Sequence, residues 1–110
     1  MPRYGNLQQR LTEARDELAR LRESLRILDE QVAFQQDVAD EAETRAIVSE
    51  TPLADRECRE AQDDLRRLKR ERQDVAAQMA ELASEQDRLL DRLLEQQAAP
   101  RPAAGWGEGA

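Results

Sequence analysis

The sequence predicts an all-α protein: two long helices folded back on each other as an antiparallel coiled-coil hairpin, turning near residues 49–52. Three observations lead there. Pro52 is the only proline between Pro2 and Pro100, and the runs on either side of it, 6–51 and 53–99, contain no glycine and no further proline. Within each run apolar residues recur at alternating spacings of four and three, the period of a coiled-coil seam. Aromatic residues make up only 3% of the chain and charged residues 37%, too few rings for an ordinary globular core and the composition of long helices.

Residues 1–6 read as a short lead-in. The first helix, 7–49, carries the seam Leu7, Leu11, Ala14, Leu18, Leu21, Leu25, Leu28, Val32, Gln35, Ala39, Ala42 and Ala46, with Leu7 at heptad position d and Leu11 at a. The second, 52–97, carries Ala54, Cys58, Ala61, Leu65, Leu68, Arg72, Val75, Met79, Leu82, Gln86, Leu89 and Leu93. Only Gln35, Arg72 and Gln86 break the apolar series. A single polar residue at such a position can fix register at some cost in stability. The Arg72 stem can lie along the seam while its guanidinium reaches water.

The turn has its own signature. Thr51 fits an N-cap, its hydroxyl accepting from an early backbone N–H. Pro52 then falls at the first helical position, where a missing N–H is tolerated. Proline also disfavours helical geometry in the residue before it, so helix 1 should end near 48–50. So short a connection forces antiparallel neighbours. Pairing residues whose numbers add to 100 places every seam residue against another: Ala46 with Ala54, Ala42 with Cys58, Ala39 with Ala61, Gln35 with Leu65, Leu28 with Arg72, Leu18 with Leu82 and Leu7 with Leu93. Flanking charges agree in part. Arg45 should face Glu57 and Asp29 should face Lys69, but Glu17 falls opposite Glu85 and Glu43 opposite Asp55.

A two-helix hairpin has one seam and no second layer, so burial and ordering entropy nearly cancel. That invites a second chain, either a copy of this one or another protein. Ile27, Phe34 and Val38 on helix 1, and Leu90 and Leu94 on helix 2, lie off the seam and are candidate dimer or partner contacts. The plainer alternative is scattered surface apolar residues. Residues 98–110, rich in Pro, Gly and Ala, read as a disordered tail. Trp106 there is either a docking anchor or part of a flexible end.

Charge is unevenly placed. From Asp37 to Asp64 ten carboxylates meet three arginines, which accounts for the whole net charge of −7. Behind this acidic tip, with Glu50, Asp55 and Glu57 nearest the turn, lies a basic belt of Arg66, Arg67, Lys69 and Arg70. Both sets are either a solvated helix surface or an interaction device, an acidic point with a basic shaft. The overall acidity argues against broad nucleic-acid affinity. With no histidine, no nucleophile–base pair, no glycine-rich phosphate loop and no zinc-ligand spacing, the chain is expected not to be an enzyme and to need no metal or cofactor. The lone Cys58 suits a reducing compartment and reads as a small core residue. No signal segment and no apolar run of membrane-spanning length is present, so a cytoplasmic location is expected.

The residues Pro52-Leu53-Ala54-Asp55-Arg56, then Glu57 and Glu60, then the charged run 65–72, resemble the coiled-coil hairpins of RNA polymerase secondary-channel binders, the Gre-type cleavage factors and DksA-type regulators. The resemblance covers about twenty residues around the turn. It implies an acidic tip that enters the polymerase channel toward the catalytic Mg²⁺, with Asp55, Glu57 and Glu50 as tip acids, and RNA polymerase as partner. Arg, Ala and Leu usage is of the kind bacterial proteins of high-GC origin show. Two expectations follow: a coiled-coil protein that docks on another protein or on itself through the apolar stripe and the tip, or a transcription regulator acting through the tip carboxylates.

Overall fold

The computed structural model describes residues 3–98. Two α-helices make up the fold, α1 over Arg3–Ser49 and α2 over Pro52–Ala98, joined by Glu50 and Thr51 alone. The all-α hairpin expected from the seam is the fold observed. α1 begins at Arg3 rather than Leu7, because extending a formed helix fixes one residue per hydrogen bond gained and nothing in 3–6 stops it. α2 runs one residue past its expected end, through Ala98. Trp106, with the rest of the segment read as a tail, lies outside the described residues.

The turn is built from one residue of each kind a tight reversal needs. Glu50 has φ 51°, the left-handed region, and its N–H donates to Ala46 O at 3.1 Å. That is the bond of a left-handed helix C-cap, usually made by glycine. The Thr51 hydroxyl accepts from the Ala54 N–H at 3.1 Å, and Thr51 O accepts from Asp55 N–H at 3.0 Å. Thr51 is therefore the N-cap of α2, with Pro52 at the first helical position.

Burial follows the seam. Every buried apolar residue among those described, from Leu7 and Ala14 on α1 to Leu65 and Leu89 on α2, occupies a predicted seam position. The remaining seam residues are half-buried, and among the described residues no polar one is buried. Packing divides into two compact units.

The unit Leu21–Gln78 holds the turn and a cluster of small side chains, Ala39, Ala42, Ala61 and Leu65, with Val32, Val38 and Cys58 against it. Both members of the expected layers Ala39/Ala61 and Ala42/Cys58 are present. Gln35 Nε2 donates to Ala61 O at 3.2 Å, so the polar seam residue is satisfied on the opposite backbone. The expected facing of Asp29 and Lys69 is corrected. Asp29 accepts instead from Arg72 Nε, because the seam arginine carries its guanidinium out to the flank and reaches the carboxylate first.

The other unit contains the described parts of Met1–Arg20 and Met79–Ala110 and buries Leu7, Ala14, Leu18 and Leu89. Its cross-helix ion pair is Arg10–Glu85 at 4.0 Å. Glu17, expected opposite Glu85, is paired with Arg20 on its own helix. Each of the two carboxylates thus has its own arginine. Arg10–Glu85 and Arg72–Asp29 are the two ion pairs between helices among the described residues, so Arg45 and Glu57 are not joined.

Candidate functional site

The seam between the two helices accounts for the residues at a and d. What it leaves over are large apolar side chains elsewhere, and most of those described lie in two places on the unit 21–78.

The first is a face of α1. Ile27, Gln31, Phe34 and Val38 follow one another at spacings of four, three and four, so they share a stripe beside the seam. Ile27 and Phe34 are exposed, Phe34 to 70%. Val38 differs from expectation: it is half-buried against the small-residue cluster and belongs to the core edge more than to the outer surface. Its position g lies next to the seam, and the alanines at 39 and 42 leave room for it. Ile27, Glu30, Gln31, Phe34, Gln35 and Leu68 line a shallow groove of ≈470 Å³. Glu30 lies at its edge, and Glu23 and Asp37, seven residues before and after it, share its face of α1. Arg26 lies between Glu23 and Glu30. Its Nε donates to Glu23 at 3.1 Å and its terminal nitrogens reach Glu23 and Glu30. The hydrogen bonds and charge of Arg26 hold the Glu23 carboxyl below its ordinary range, and the guanidinium is raised in return.

The second place is the tip. Glu50, Asp55 and Glu57 are exposed there, as the sequence reading placed them. Beside them stand Ile47, Val48 and Leu53, exposed to 70%, 76% and 60%, which that reading missed. The signal was available: all three are large apolar residues off the seam within three positions of Glu50. Asp55 sits in the first turn of α2, where a carboxylate is favoured by the helix dipole. The residues about the turn thus include both exposed apolar side chains and exposed carboxylates.

The other candidates are weaker as sites. Arg66 and Arg67 of the basic belt are tied to Asp63 and Asp64 on their own helix, which halves the charge the belt presents; Lys69 and Arg70 are exposed. Cys58 is a free, half-buried thiol packed against the alanine cluster. Leu90 and Leu94 of the other unit are exposed, at 42% and 60%. Among the described residues no three side chains gather to hold a metal, and no helix is long and apolar enough to cross a membrane. What this surface offers chemically is contact: desolvation of apolar side chains and charge pairing around them.

Compared with known proteins, the chain matches no family model, no curated protein and no solved structure.

Proposed function

We propose that the protein is a non-enzymatic docking hairpin of the bacterial cytoplasm, a coiled coil that engages a protein partner through its α1 stripe and its tip. One observation carries this reading. In a chain whose seam residues are all covered, Phe34, Ile47, Val48 and Leu53 are left mostly exposed. Aromatic and aliphatic side chains framed by charge are the usual anchors of a protein interface. The reading is tested by placing a photocrosslinking residue at Phe34, at Val48 and, as a polar control, at Arg70, in cells. Discrete adducts at Phe34 and Val48, with the Val48 adduct lost on Leu53→Asp, are the expected result. Equal labelling at all three positions overturns it.

A second reading draws on the exposure of Glu50, Asp55 and Glu57 beside a two-residue turn. It makes the protein a regulator of RNA polymerase that inserts these carboxylates toward the enzyme's metal. Binding to purified core polymerase that depends on Asp55 and Glu57 favours it. Binding unchanged by Asp55→Ala/Glu57→Ala, or absent, removes it.

A further inference from the structure

We infer that the α1 groove at Ile27 and Phe34 receives a basic amphipathic helix of a partner protein. The inference rests on the docking reading above and names the occupant of one of its two surfaces. Its shape comes first. Ile27 and Phe34 are seven residues apart, two helical turns or about 10 Å along α1, with Gln31 between them and Leu68 at the groove's far wall. A helix laid along this groove meets it with apolar side chains at i, i+3 or i+4, and i+7, the spacing by which helices fill apolar grooves. Of the six lining residues only Glu30 is charged, and Gln31 and Gln35 are neutral, so an apolar ridge can enter with one carboxylate left to pair.

Charge selects among helices. From Glu23 to Thr44, α1 carries seven carboxylates and a single cation, Arg26. Arg26 is shared by Glu23 and Glu30, so it offers a partner little positive charge, and the set Glu23, Arg26, Glu30 and Asp37 keeps a net charge of −2, three carboxylates against one guanidinium. Glu23, Glu30 and Asp37 run beside the two apolar anchors for about 21 Å. An acidic or neutral helix would bring no countercharge to these carboxylates, whereas one with Lys or Arg flanking its apolar stripe pairs along its length. The same charge disfavours a second copy of this chain, which has a net charge of −7 and would oppose an identical acidic row to this one.

The test uses the full chain and three fluorescent 18-residue peptides. One is a leucine/lysine amphipathic helix, one has glutamate for lysine, and one is a scrambled leucine/lysine sequence. Anisotropy is read at physiological salt, with sedimentation of the free protein alongside. The leucine/lysine helix should bind saturably, one per chain. Phe34→Ala should weaken it about tenfold, on the scale of an interface anchor. Glu30→Gln/Asp37→Asn should weaken it severalfold, and Gln8→Ala, at an exposed polar position of the other unit, should leave it unchanged. Equal binding of the acidic or the scrambled peptide overturns the inference, as does indifference to Phe34→Ala. A concentration-dependent dimer that Phe34→Ala dissolves also overturns it, by placing a second copy in the groove. If the peptide result fails while crosslinking at Phe34 and Val48 persists, only the class of occupant falls. If both fail, the docking reading goes with it.

Discussion

Glu50 holds a conformation that glycine adopts freely and a glutamate does not. At φ 51° its Cβ crowds the backbone, a strain of roughly 1–2 kcal/mol for an L-residue. The turn keeps this geometry because both neighbouring helix ends depend on it: the Glu50 N–H closes α1 on Ala46, and the next residue caps α2. Glu50→Gly should therefore stabilise the hairpin, by about 0.5–1 kcal/mol once the greater freedom of unfolded glycine is deducted. Thr51→Ala removes the acceptor for the Ala54 N–H and should destabilise by about 1 kcal/mol. Thermal melts followed by circular dichroism should show Tm moving up for the first and down for the second, each by a few degrees. A fall in Tm for Glu50→Gly would mean that the glutamate side chain contributes a contact outweighing the strain.

At the scale of the helices, the seam explains which residues are covered, and its small members explain how. Ala39 is fully buried in a cluster with Ala42, Ala61 and Leu65, so α1 and α2 meet there through alanine. Ala39→Leu puts three extra heavy atoms into a layer with no room for them and should cost about 1–3 kcal/mol, read as a lower urea midpoint. An unchanged midpoint would show that the helices separate there without penalty. Arg72 illustrates the limit of spacing as a guide. The heptad placed it on the seam and its chemistry predicted that it would leave, but which carboxylate it meets was not legible. Sequence arithmetic paired Asp29 with Lys69, whereas the guanidinium of Arg72 takes that carboxylate. Flexible surface charges choose partners by local geometry at energies of ~0–1 kcal/mol, too small for position numbers to rank. Val38 is a parallel case. Its heptad position borders the seam, and the neighbouring alanines decided that it turns inward.

For the molecule as a whole, the reversal at Glu50–Thr51 is what makes one chain its own partner. Replacing Glu50, Thr51 and Pro52 together by alanine removes the left-handed residue, the cap and the helix-interrupting proline. The two runs should then join into one continuous helix. Its seam would remain unsatisfied within a single chain, and two such helices would pair antiparallel with the same layers. Light scattering should report a doubled mass for this variant. A monomer of unchanged helicity would show that the seam enforces the turn without these residues. The functional surfaces are set at this scale too. Off-seam apolar residues acquire meaning only once the seam is known to be filled from within the same chain.

The sequence by itself determined two helices, their seam, the capped turn and the direction in which the chain returns. These follow from spacing, proline geometry and side-chain capping, all of which act between residues near in sequence or repeated at a fixed period. Only the tertiary structure decided which off-seam residues stay exposed: that Phe34 opens onto a groove while Val38 closes into the core edge, and that Ile47, Val48 and Leu53 stay exposed near the turn. Exposure is a difference between what a side chain presents and what its neighbours cover, and those neighbours come from the opposite helix, whose contribution no single heptad records.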